Sequence, residues 1–207
     1  MSSCLILCCS HISENPLIRP YENVYSLDDG LDFYAPQTMQ SPDGRRIMIG
    51  WMQSWDSNIR PVDQKWSCMM TLPRELRIED GKIRQRPVRE IERYHRHAVC
   101  YQNKEISGSC QMEGIRGRVL DMTVEIDRTY SGMVRDAIAI RKAKLKTSAD
   151  KLELRIILDK YSAEIFLNDG QQVFSSTFYT PMEADGISFV CDGKAVVNIK
   201  KYEMVVD

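Results

Sequence analysis

The sequence predicts an all-β fold, and three observations carry that expectation. Short runs alternate polar and apolar residues with a period near two, as half-buried strands do. The clearest is "KLELRIILD" at 151 to 159, which sets Leu152, Leu154, Ile156 and Leu158 on one face and Lys151, Glu153 and Arg155 on the other. Gly- and Asp-containing turns separate the runs, and "FLNDGQQVF" places Asn168, Asp169 and Gly170 between Phe166 and Phe174 as a hairpin.

In chain order, residues 11 to 30 are irregular, with Pro16, Pro20 and Gly30. "FYAPQTM" then leads through the turn "SPDG" at 41 to 44 into a strand at "RRIMIGW", 45 to 51, with Gly44 supplying the positive φ of the turn. "SCMMTLPREL" at 67 to 76 is strand-like; Pro73 keeps Leu72 extended and lacks a donor, which suits an edge or a strand end. These pieces form an all-β unit with too few strands to close.

"RPVREIERYHR" at 86 to 96 mixes helical and extended signals and is assigned as the linker packing the second unit onto the first. From about residue 84 onward the runs "GRVLDMTVEID", "MVRDAIAIRKAKLK", "KLELRIILD", "SAEIFLNDGQQVFSSTFYT", "DGISFVCDG" and "AVVNIKKYEMV" predict a β-sandwich, in which the apolar face of 151 to 159 is buried against a second sheet. The expected units are therefore residues 1–83 and 84–207.

Charged residues are 28% of the chain and the formal net charge is -1, which gives no electrostatic ground for a nucleic-acid or anionic-membrane partner. The basic run "RKAKLK" at 141 to 146 reads as a solvated hairpin tip. Seven cysteines, an odd number without paired C-x-x-C spacing, speak against zinc and against a disulfide framework. They point to free thiols in a reducing cytoplasm, with Cys68 and Cys191 as small hydrophobes. The opening "MSSCLILCC" is too short to span a bilayer and has no basic n-region. His95 and His97 share a face if they lie in a strand, but no acidic or cysteine ligand stands at a convincing spacing. No nucleotide-binding glycine motif occurs, so nucleotide binding has no local support, and without a G-x-S-x-G elbow a serine triad has none either.

Asp28, Asp29, Asp32 and Asp56 lie close to Phe33, Tyr34, Trp51 and Trp55. Carboxylates accept sugar hydroxyl protons and aromatic faces cover the apolar side of the ring, so the mixture suits saccharide recognition; it also describes an acidic turn beside core aromatics. Glu164, opposite in face to Ile165, is expected at a structural or domain interface.

Four stretches then carry a resemblance: "LDFYAPQT" (31 to 38), "RRIMIGWM" (45 to 52), Trp66 followed by "MTLPREL" ending at Leu76, and "LRIILDKYSAEIFLNDGQQVFSSTFY" (154 to 179). In order and spacing they are similar to landmarks of glycoside hydrolase family 32, the invertases, levanases and sucrose-6-phosphate hydrolases, over residues 21 to 205. The resemblance implies a five-bladed β-propeller with the active site in its funnel, followed by a C-terminal β-sandwich. It also implies hydrolysis of terminal β-D-fructofuranosides, such as sucrose or sucrose 6-phosphate, with retention and without a cofactor.

The family's three acidic residues lie in W-M-N-D-P-N-G, R-D-P and E-C-P stretches, and this sequence contains none of them; Glu14, followed by Asn15 and Pro16, lacks the cysteine. The chain is accordingly expected to represent only the C-terminal portion: a remnant of the five-bladed β-propeller followed by the β-sandwich. No residue is assigned as catalytic and none as a metal ligand. Asp29, Asp32, Tyr34, Trp51 and Trp55 are expected to contact substrate, Asp32 foremost. The expected partner is a fructose-containing saccharide, engaged once a missing N-terminal propeller part is supplied. The alternative is a non-catalytic sandwich that binds carbohydrate or packs a domain. Residues 20 to 80 are expected either to drape over the sandwich or to be prone to aggregation.

Overall fold

The computed structural model describes residues 6–7, 25–30, 32–52, 65–66, 68–127, 151–178 and 181–206. Strands β1 (Ile6–Leu7) and β2 (Tyr25–Ser26) form an antiparallel pair. Strands β3 (Tyr34–Gln40), β4 (Arg46–Trp51), β5 (Arg74–Glu79) and β6 (Lys82–Pro87) form a second sheet in sequence order, the open four-stranded meander of a propeller blade. A 3₁₀ helix, η1 (Arg89–Tyr94), leads into β7 (His95–Cys110), β8 (Leu120–Asp127), β9 (Lys151–Asp159), β10 (Ser162–Leu167), β11 (Gln172–Thr177) and β12 (Phe189–Met204). These six make a sandwich-like sheet in the order β11-β10-β9-β8-β12-β7, and the architecture is all-β as expected.

The blade follows its turn chemistry. Ser41 and Arg45 close the β3–β4 hairpin through a 2.8 Å hydrogen bond, with Gly44 at φ +85°. Asp80 and Gly81, both at positive φ, form the two-residue turn between β5 and β6, a conformation matched to strand twist. Its small core is Leu27, Phe33 and Met48, with Leu76 and Ile83 against them.

In the six-stranded sheet, Leu120 pairs with Leu158, Met122 with Ile156 and Val124 with Leu154. Together with Ala195, Val197 and Ile199 of β12 and Ile106 of β7 these rows form the main core. The opposite face is buried too: Ile157, Phe166 and Val173 pack on Ile91 of η1, with Leu72 alongside. The linker expected at 86 to 96 thus docks the blade onto the sheet through Ile91, and Asp28, Asp29 and Asp32 hydrogen-bond to β11.

Several local expectations change. The run 67 to 76 becomes a strand only after Pro73; before it, Met69 and Thr71 pair loosely with Met52 and Gly50 at the end of β4. Cys68 is exposed rather than a buried hydrophobe, whereas Cys191 packs against the main core. "DGISFVCDG" and "AVVNIKKYEMV" supply one strand, β12, kept continuous by a bulge between Cys191 and Lys194 that includes Gly193 at φ +107°. Leu154, Ile156 and Leu158 pack against the main core, which among the described residues also takes in Met112 and Ile115 from the segment between β7 and β8. Residue 84 falls inside β6, and residues 88 to 94 connect the two sheets. The runs 133 to 146, including "RKAKLK", lie outside the described residues. Among those described, no helix is long and apolar enough to cross a membrane.

Candidate functional site

Strand β11 lies at one edge of the six-stranded sheet, and an edge leaves alternate N–H and C=O groups facing outward. Asp28, Asp29 and Asp32 take these groups up one by one. Asp29 N–H donates to Val173 O at 2.7 Å and Asp32 N–H to Ser175 O at 3.1 Å. Ser175 N–H donates to Asp28 Oδ1 at 2.9 Å, and Thr177 N–H to Asp32 Oδ2 at 2.7 Å. Two carboxylates thereby stand in for the carbonyls of a neighbouring strand. Gly30 is needed for the approach, since a Cβ there would lie 2.1 Å from Ser175 O.

Asp28 is fully buried, and its second oxygen accepts from Ser175 Oγ at 2.7 Å and from Arg74 Nη1 at 2.9 Å. Arg74, the first residue of β5, has no exposed surface. Its Nε and Nη2 reach Glu164 Oε2 at 3.0 and 2.6 Å, its Nη1 reaches Gln85 Oε1 at 3.1 Å, and its guanidinium lies between the rings of Phe33 and Phe166. Glu164 completes the link by accepting Leu72 N–H at 2.6 Å. Burial pushes the Glu164 carboxyl above its ordinary range, against the opposing pull of Arg74 and the Leu72 amide. Glu164 therefore sits at the domain interface, where its position in "SAEIF" puts it.

The residues expected to contact substrate fall into two groups. Asp29 and Asp32 are on β11: Gln172 Nε2 donates to Asp29 Oδ2 at 3.1 Å, and Thr177 Oγ1 donates to Asp32 Oδ2 at 3.0 Å. Tyr34 and Trp51 face each other across β3 and β4, with ring centroids 6.1 Å apart in an edge arrangement. The Trp51 indole Nε1 is buried and has no hydrogen-bond partner among the described residues. Trp55 and Asp56 lie outside those residues. Arg74, Gln85, Gln172, Ser175 and Thr177 were not legible as partners of this segment; their only local signal was the alternation of "QQVFSST", which marks residues 173, 175 and 177 as one set of a strand.

The two histidines separate. His95 Nε2 lies 2.9 Å from Asp121 Oδ2, which also pairs with Arg155, and the ring stacks on Tyr202 at 4.1 Å. His97 adopts φ +44° and is exposed. Among the described residues no group of three or more His, Cys, Asp or Glu is placed to hold a metal ion.

A propeller-type blade joined through a buried ionic contact to a sandwich-like sheet defines a two-unit all-β protein. Residues 5–87 match the description "Glycosyl hydrolases family 32 N-terminal domain", and residues 95–205 match "Glycosyl hydrolases family 32 C terminal". The chain belongs to glycosyl hydrolase family 32. It is 34% identical over 202 residues to a probable sucrose-6-phosphate hydrolase of Vibrio cholerae, covering 87% of this chain and 36% of that protein. It is 33% identical to raffinose invertase of Escherichia coli, covering 83% of this chain and 42% of that one. The fold is similar to sucrose-6-phosphate hydrolase from Lactobacillus gasseri, with a TM-score of 0.72 at 20% identity over 89% of this chain and 43% of that chain. The chain thus spans less than half the length of these proteins.

These matches correct one expectation in two places. The resemblance is not confined to a C-terminal portion, because the N-terminal domain of the family is matched across residues 5–87. A missing N-terminal propeller part is for the same reason not indicated as a partner.

Proposed function

We propose that the chain acts in β-fructofuranoside metabolism by binding a terminal fructofuranosyl unit, in the chemistry its relatives use to hydrolyse sucrose or sucrose 6-phosphate with retention, and that it does not cleave the bond by itself. The observation that carries this is the Tyr34–Trp51 pair, in which a buried indole N–H with no acceptor among the described residues adjoins an aromatic face. A sugar presents a hydroxyl acceptor and an apolar ring face to such a pair. Asp29 and Asp32 supply carboxylates for hydroxyl recognition, and Trp55 belongs to the same proposed set.

Retaining hydrolysis needs two carboxyl groups about 5 to 5.5 Å apart across the scissile bond. The absence from this sequence of the three acidic stretches W-M-N-D-P-N-G, R-D-P and E-C-P supports binding without turnover. A cytoplasmic location belongs to the same proposal, supported by an odd cysteine count without paired C-x-x-C spacing. The second reading, a domain-packing module, is favoured by the Asp28–Arg74–Glu164 contact, which is structural. Incubation of the purified chain with sucrose and with sucrose 6-phosphate tests the proposal. No fructose above the buffer level is expected; release that disappears in Asp32→Ala overturns it.

A further inference from the structure

We propose that β11 of the six-stranded sheet is a positioning element for the sugar-contact segment of the blade, with Gln172 as the residue that orients Asp29. The inference rests on the saccharide-binding role given to Asp29 above. Four outward backbone groups of β11, Val173 O, Ser175 N and O, and Thr177 N, are all taken by Asp28, Asp29 and Asp32. Asp28 immediately precedes Asp29 and is held from two sides, by Ser175 of β11 and by Arg74 of the blade. The backbone on both sides of the Asp29 side chain is therefore fixed, by Asp28 before it and by Gly30 N–H, which donates to Asp28 Oδ1 at 2.8 Å. What remains is side-chain rotation, and the buried Gln172 amide bonds Asp29 Oδ2 at 3.1 Å.

A side-chain amide that donates to a carboxylate sets its direction without adding charge, and an isosteric carboxylate in its place repels it. Gln172 lies in the six-stranded sheet whereas Asp29 belongs to the blade-side segment, so the second domain contributes to the geometry of a site carried by the first. This assigns the sheet a part in recognition beyond packing.

The test uses the intact chain with three variants: Gln172→Glu, Asp29→Asn and the double change. Amide hydrogen exchange of residues 28 to 33 and calorimetric titration with sucrose are read together with the melting temperature. In the unmodified chain, the Asp29 and Asp32 amides are expected to exchange about a hundredfold more slowly than the Asp43 amide in the exposed 41–44 turn, as paired edge amides do. Gln172→Glu is expected to speed exchange at Asp29 and weaken sucrose binding about tenfold, and to have no added effect on binding once Asp29 is Asn, because the two act as one unit. Additive losses in the double variant, or unprotected Asp29 and Asp32 amides in the unmodified chain, overturn the proposal. If the unmodified chain binds no sucrose, the saccharide role falls and the exchange data alone decide. Faster Asp29 exchange in Gln172→Glu then upholds the positioning, and unchanged exchange overturns it.

Discussion

Arg74 and Glu164 are joined across the domain interface through one carboxylate oxygen, Glu164 Oε2, which lies 3.0 Å from Arg74 Nε and 2.6 Å from Nη2. Asp28, on the blade side of the interface, meets the same guanidinium at Nη1, 2.9 Å away. One buried cation thus serves two buried carboxylates, and neither domain completes the cluster without the other.

Removing that cation strands both acids away from water. Arg74→Ala is expected to cost about 3 to 5 kcal/mol of unfolding free energy, the usual consequence of breaking a buried ion pair from one side. Arg74→Lys keeps the charge but loses the planar fork, so it is expected to recover only part of the loss. Urea denaturation midpoints at constant slope measure both.

The cluster also sets a pH dependence. Burial raises the Glu164 pKa above its ordinary 4.5, so the folded chain holds that proton more tightly than the unfolded one. The corresponding stabilisation is complete below 4.5 and is lost as pH rises through the raised folded value. Glu90 behaves oppositely: hydrogen bonds from Arg45 hold it at about 2, so its contribution is present above 4.5 and is lost as pH falls toward 2. Melting temperatures across roughly pH 2 to 8 are expected to flatten on the alkaline side in Glu164→Gln and on the acid side in Glu90→Gln.

Two glycines let the domains touch. A Cβ at Gly170 would lie 1.7 Å from Gln85 O, and the residue has φ +76°; a Cβ at Gly30 would meet Ser175 O at 2.1 Å. Both clashes are with backbone, which cannot swing away. Gly170→Ala and Gly30→Ala are each expected to lower stability by at least about 1 to 3 kcal/mol, with the larger effect at Gly170 because positive φ adds strain. Gly44→Ala, in an open turn at φ +85°, isolates the strain component, and thermal melts of the three rank them.

Ile91 is the apolar counterpart of this contact, packed on Ile157, Phe166 and Val173. Ile91→Ala is expected to cost about 2 to 5 kcal/mol through lost burial and the cavity left behind. Limited proteolysis should then cut within residues 88 to 94 faster than in the unmodified chain.

How far the sequence discloses this molecule depends on how local each cause is. The β9 strand and the Asn168-Asp169-Gly170 turn were legible because alternation and turn chemistry are properties of neighbours. Asp80-Gly81 carries an equally local signal, which a boundary drawn at residue 84 passes over. Strand β7 was not legible, since it is an edge strand with mostly exposed side chains and Ile106 as its one buried residue, leaving little alternation to see. Arg74 looked like any arginine after a proline; its partners Asp28, Glu164 and Ser175 stand 46, 90 and 101 residues away. The aspartates of "DDGLD" form a dense acidic cluster in the sequence, yet their use as substitute carbonyls becomes visible only once β11 is known to be an edge.

Calorimetric titration of the intact chain with sucrose, run beside Asp29→Ala, tests the saccharide role most directly. Saturable binding that weakens about tenfold or more in Asp29→Ala, with the melting temperature retained, is expected from loss of a charged hydrogen bond. Binding that is absent, or equal in the two proteins, would contradict it.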